Sequence, residues 1–289
     1  MNVTKHSRNV HELNIKGDVQ IAMLSDIHWD NPHCDRETLK AHLDYCVKEN
    51  IPIMINGDFF CFMQGKYDPR RSKADIRPEH NKVNYIDAVI EDCVNWWKPY
   101  AKLLTVIGYG NHETAIIKNL ETDPLQRFVD LLNHTCGVNV YTGGYGGWLI
   151  INSYKGHGTV KVNVKYYHGS GGGGLVTKGA INLTRALEMI EGMDVFTMGH
   201  IHENSARNDV RESVYFHAKK GHVVRQKDIH LMLTGTYKDE YEDGFGGYHI
   251  EKGRPVKPIG GRILTIFNNR KTTGKKEMQP VIDSKKFPL

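Results

Sequence analysis

Five apolar segments of this 289-residue chain each run directly into residues that can bind a metal, and that repetition constrains the fold more than any other feature. Val19–Leu24 leads into Ser25-Asp26-Ile27-His28, and Ile51–Ile55 into Asn56-Gly57-Asp58. Leu103–Ile107 leads into Gly108-Tyr109-Gly110-Asn111-His112-Glu113, and Val195–Met198 into Gly199-His200-Ile201-His202. A fifth segment alternates Val160, Val162, Val164 and Tyr166 with Lys161, Asn163 and Lys165 before it reaches His168. Short apolar runs closed by turn residues read as buried strands, and strict alternation as a half-exposed one. In sheets covered by helices, strand ends gather along one edge, where ligand sites form. The pattern therefore predicts an α/β fold whose Asp, Asn and His residues meet at one edge.

Helix-period segments lie between these strands. One starts after the N-cap candidate Asp35 and carries Leu39, Leu43, Cys46 and Val47 on one face. A second runs from Val83 to Trp97, a third opens with Asp123-Pro124, and a fourth sets Leu183, Ala186, Leu187 and Ile190 on one side. Beyond position 204 the candidates are strands: Val214–His217, His222–Arg225, Ile229–Thr234 and Arg262–Phe267. Two packed sheets with helices outside accommodate both halves in one domain, expected over residues 1–268. Asp239–Gly261, rich in glycine and charge, reads as a long loop, and residues 269–289 as a basic polar tail that holds much of the net charge of +5.

The donor set is chemically coherent. Two aspartates, one asparagine and four histidines offer mixed oxygen and nitrogen ligands, which suit Mn²⁺, Fe or Zn²⁺ better than Ca²⁺. A carboxylate can bridge two such ions, and a metal pair can clamp a phosphoryl group. The order D-x-H, G-D, G-N-H-E, H, G-H-x-H over residues 20–204 resembles the calcineurin-like metallophosphoesterase superfamily. That resemblance implies a four-layer α/β/β/α sandwich of two mixed β-sheets flanked by helices. It also implies two divalent ions, with manganese preferred and iron, zinc or nickel tolerated. Asp26, His28 and His202 would hold the first, Asn111, His168 and His200 the second, and Asp58 would bridge them. His112 would orient the phosphate and protonate the leaving oxygen, while water activated by the ions attacks phosphorus in line.

Departures from the family pattern bear on the substrate. The protein-phosphatase branch continues G-D to a second aspartate, which partners the catalytic histidine, and then to a phosphate-clamping arginine. This chain has Cys61 and Phe62 there. A dianionic monoester gains more from an extra cation than a singly charged diester does. The expected enzyme is therefore a metal-dependent phosphodiesterase acting on nucleic acid (DNA or RNA) or nucleotides, closer to the nuclease branch. A broad phosphomonoesterase is the alternative, and a non-catalytic scaffold on the same fold a remote one. The insert 62–82 follows Asp58 and supplies Lys66, Arg70, Arg71, Lys73 and Arg77 as candidate substrate contacts. The glycine run 169–174 lacks the lysine-serine ending of a nucleotide phosphate loop. His33 lies near enough to His28 in sequence to reach the same site.

Five scattered cysteines without a CxxC pair argue against a disulfide framework and suit a reducing compartment, with the cytoplasm expected. No apolar run reaches the length of a membrane span, and the first residues hold no secretory signal, so no membrane partner is expected.

Overall fold

The computed structural model of the chain describes residues 2–62, 75–155, 158–245, 248–273 and 277–288. The chain opens with β1 (Asn2–Ser7), β2 (Val10–Lys16) and β3 (Val19–Leu24), then α1 (Arg36–Glu49), β4 (Ile53–Asn56), α2 (Tyr85–Trp97) and β5 (Leu104–Gly108). Next come α3 (Asn111–Leu120), α4 (Pro124–Cys136), β6 (Tyr141–Thr142), β7 (Gly146–Lys155), β8 (Gly158–Tyr167), α5 (Ala180–Met189) and β9 (Val195–Met198). The remainder comprises β10 (Asn204–His217), β11 (Gly221–Thr234), α6 (Tyr248–Glu251), β12 (Arg262–Thr273) and β13 (Glu277–Lys286).

These strands form two mixed sheets, a seven-stranded one in the order β1-β2-β7-β8-β9-β11-β10 and a six-stranded one in the order β13-β12-β3-β4-β5-β6. In the second sheet β3, β4, β5 and β6 are parallel, as crossovers through helices require. Side-chain alternation in β3 shows why the sheets stack. Val19, Ile21 and Met23 face the other sheet, meeting Ile151, Val162 and Tyr166, whereas Ala22 and Leu24 face the layer of α1, α2 and α4. A strand buried on both faces must read as a continuous apolar run, which is the pattern of Ile21–Leu24 after the half-buried Gln20. On the far side, Leu183, Ala186 and Leu187 of α5 cover Phe196, Met198 and Leu231. The result is a helix–sheet–sheet–helix sandwich. No described helix is long and apolar enough to cross a membrane.

Local signals set the helix ends. The Asp35 carboxylate accepts Thr38 N–H at 2.9 Å, and the Asp123 carboxylate accepts Gln126 N–H at 2.9 Å ahead of Pro124. Each such cap contributes about 1 kcal/mol. The second helix starts at Tyr85, past the fully exposed Val83.

Other segments depart from the sequence reading. His222–Arg225 and Ile229–Thr234 belong to one strand, β11, which pairs with β10 along its whole length while β9 reaches only His230–Leu233. The polar residues between them lie in the part of this ribbon that leaves the sheet. Within 269–289, β13 pairs antiparallel with β12, and Ser284 and Phe287 are buried. Strands β1, β2 and β7 carried no recognised signal, and Asp239–Gly261 includes the single helical turn α6.

Candidate metal centre

The ends of β3, β4, β5, β8 and β9 bring Asp26, His28, Asp58, Asn111, His112, His168, His200 and His202 into one site. Ligand atoms of Asp26, His28 and His202 lie within 4.8 Å of one another, as do those of Asp58, His168 and His200. Asn111 Oδ1 lies 2.8 Å from His200 Nδ1 and 3.3 Å from His168 Nε2, on the side of the second group. The two groups interlock. The His200 N–H donates to both oxygens of Asp26, at 2.9 and 3.1 Å, and the His112 N–H donates to Asp58 Oδ1 at 3.0 Å.

The backbone is bent to achieve this. Asp26, His28, Asp58, His200 and His202 all have φ between +46° and +67°. That left-handed region costs a non-glycine residue on the order of 1 kcal/mol or more, and such strain collects at functional sites. In both the Asp26/His28 and His200/His202 pairs the intervening isoleucine is buried, Ile27 under the α1–α2 layer and Ile201 under α5. The apolar residue anchors each turn while its neighbours serve the site. Two glycines permit the close approach. A Cβ at Gly110 would lie 2.1 Å from Asp58 Oδ1, and one at Gly199 would lie 2.4 Å from Asp26 Oδ2.

Electrostatics follow from burial and proximity. Burial, with His112 adding to it, holds the His28 imidazole well below its ordinary pKa, so the ring is neutral and its lone pair available. Both His28 ring nitrogens are buried without a hydrogen-bond partner. An orphaned buried polar atom costs about 1–3 kcal/mol, and a place for a metal ion is one of the few reasons to keep one. Burial alone would lower His168 too, but Asp58 Oδ2 at 3.1 Å raises it to about 10. Burial likewise disfavours the Asp58 carboxylate, yet His168, first, and His112 hold it well below the usual range. The His168 Nδ1–H donates to the Asn56 carbonyl at 2.9 Å, which fixes the ring and aims Nε2 at the site.

Several positioning groups escaped the sequence reading. The Asp30 carboxylate accepts Cys61 N–H at 2.6 Å, Phe62 N–H at 2.8 Å and Tyr85 O–H at 3.1 Å, and so clamps the chain that leaves Asp58. The clamp places the Cys61 carbonyl 2.6 Å from His112 Nδ1, so a main-chain oxygen stands as partner to this histidine. Glu113 joins the same loops, accepting Phe60 N–H and Gly110 N–H, each at 2.8 Å. Burial and then Asp58 raise its carboxyl to about 8. Asn56 ties the sheets together, its Nδ2 donating to the Tyr167 carbonyl at 2.9 Å. Two signals were present: the DIHWD spacing for Asp30, and the capping position three residues after Gly110 for Glu113.

Arg77 donates to the carbonyls of Asn31 and Cys34, at 3.1 and 3.2 Å, so its guanidinium braces the loop after His28. Lys66, Arg70, Arg71 and Lys73 lie outside the described residues. His33 pairs with Glu242 at 2.5 Å and lies 3.8 Å from Asp75, apart from both ligand groups. Lys238, largely buried, pairs with Glu240.

No family model and no curated protein matches the chain. Among solved structures, GAP50, the anchor in the inner membrane complex of Plasmodium, aligns over 94% of this chain and 90% of its own, with 11% identity and a TM-score of 0.43. Vps29 of Chaetomium thermophilum aligns over 94% and 98%, with 10% identity and a TM-score of 0.34.

Proposed function

We propose that the chain is a dinuclear metal-dependent phosphoesterase of the calcineurin-like kind, acting on phosphodiesters of nucleic acid or nucleotides. The observation that carries this reading is the pair of adjoining ligand groups, Asp26/His28/His202 and Asp58/His168/His200, with Asn111 and His112 at their edge. The unpartnered nitrogens of His28 and the mixed nitrogen and oxygen donors fit borderline divalent ions such as Mn²⁺, Fe²⁺ or Zn²⁺. Two such ions would supply Lewis acidity toward the phosphoryl oxygens and the attacking water.

The chain's own groups then have distinct tasks. Asp58 belongs to the second ligand group and also receives the His112 N–H, so ion binding and His112 placement share one carboxylate. With Nδ1–H committed to the Cys61 carbonyl, His112 has Nε2 with which to hand a proton to the leaving oxygen. Preference for a diester is supported by the burial of Cys61 and Phe62, which leaves no cation at those positions, and by the pairing of Lys238 with Glu240.

The test strips the protein with chelator, reloads it with Mn²⁺, and compares rates on bis(p-nitrophenyl) phosphate and p-nitrophenyl phosphate. Diester preference is expected, and Asp58→Asn is expected to lose metal and turnover together. A monoester preference would overturn the substrate class. Full turnover by Asp58→Asn would overturn the reading altogether.

A further inference from the structure

The side chain of Cys61 has no part in the site described so far. Its Sγ forms a third donor group with one nitrogen each of His28 and His112, all within 4.8 Å of one another and all buried. Asn31 Nδ2–H donates to this sulfur at 3.4 Å, so Sγ already acts as an electron-pair donor. The His28 nitrogens are the unpartnered pair, and His112 brings a second buried imidazole, whose Nδ1–H goes to the Cys61 carbonyl.

We propose that His28, Cys61 and His112 form a third, thiophilic metal position, which excess Zn²⁺ or Cd²⁺ occupies and which captures the proton-donating histidine. Around a tetrahedral ion with bonds of about 2.0–2.3 Å, donor atoms stand roughly 3.3–3.8 Å apart, so side chains whose donors lie within 4.8 Å need to close by no more than about 1.5 Å. A soft cation forms the metal–sulfur bond as the thiol proton leaves to solvent, and no electron changes hands. Mn²⁺, which prefers oxygen donors, gains little from sulfur and leaves the position alone. Because His28 belongs to both groups, occupancy here also draws on the Asp26/His28/His202 set. The position stands on its own geometry, and only its inhibitory consequence rests on the phosphoesterase reading.

The experiment titrates Cd²⁺ into the full chain preloaded with Mn²⁺, following the thiolate-to-cadmium charge-transfer band and hydrolysis of bis(p-nitrophenyl) phosphate together. A saturable band from one thiolate per chain is expected, with hydrolysis falling in step. Cys61→Ser should abolish the band. Loss of a supporting partner alone costs about 10–100-fold in metal affinity, so losing a direct ligand should raise the half-inhibitory Cd²⁺ concentration at least about tenfold. Cys136→Ser, at the least buried thiol, should keep both responses. Cadmium X-ray absorption on the unaltered protein gives a readout independent of any variant, with one sulfur and imidazole nitrogens expected. A missing band, a band surviving Cys61→Ser, or a cadmium shell without sulfur overturns the proposal. A band that behaves as stated in a protein without phosphoesterase turnover leaves the position standing and removes the function reading instead.

Discussion

Asp30→Asn isolates what holds the candidate acid in place. The Asp30 carboxylate is buried and accepts three hydrogen bonds, Oδ1 from Cys61 N–H and Oδ2 from Phe62 N–H and Tyr85 O–H. An asparagine keeps one carbonyl oxygen for one main-chain amide and turns an NH₂ toward the other, setting donor against donor. Tyr85 can rotate its hydroxyl to accept, so one charge-assisted bond is lost and one buried N–H is left unsatisfied. A hydrogen bond to a charged group is worth about 1.5–3 kcal/mol, and an orphaned buried donor costs about 1–3 kcal/mol more, so roughly 3–5 kcal/mol of stability should disappear. Tyr85→Phe, which removes a single hydroxyl from the same carboxylate and leaves no amide unsatisfied, should cost about 1.5–3 kcal/mol. Urea unfolding followed by linear extrapolation measures both. The same loop sets the Cys61 carbonyl against His112 Nδ1, so kcat for the diester should fall about 10–100-fold with little change in KM. A loss of less than about 1 kcal/mol with unchanged kcat would show that Asp30 is not the clamp.

Three further outcomes follow from the geometry. His112→Ala should bind metal with the stoichiometry of the unaltered protein yet lose about 10²–10⁴-fold in kcat, as titration calorimetry and initial rates would reveal. Gly199→Ala forces a Cβ to within 2.4 Å of Asp26 Oδ2, so it should weaken metal uptake and cost about 1–3 kcal/mol; an unchanged metal titration would refute the contact. Burial, chiefly, lowers His11, His42 and His230 to about 4. The folded state keeps these rings neutral while the unfolded chain takes up protons below about pH 6.5, so stability should fall as pH drops from about 6.5 toward 4, by at most roughly 3 kcal/mol per ring. A urea midpoint that stays constant across that window would contradict it, and His230→Gln should flatten the fall.

The sequence alone determined the buried strands that lead into the site and the residues that end them. Apolar runs and their alternation are local properties, so β3, β9 and the donors Asp26, His28, His200 and His202 could be read without knowing any partner. Pairing is not local. The polar strand β1, the part of β10 before Val214 and the late strand β13 owe their existence to neighbours elsewhere in the chain, and their own residues carry little β signal. Charge was visible at Arg77, but only the fold turned it toward the carbonyls of Asn31 and Cys34. The partner of His112 was invisible for a different reason: it is a main-chain oxygen, and every residue has one. Tertiary structure selected the Cys61 carbonyl by fastening the loop to Asp30 from across 31 positions of sequence, and no spacing rule reaches that far.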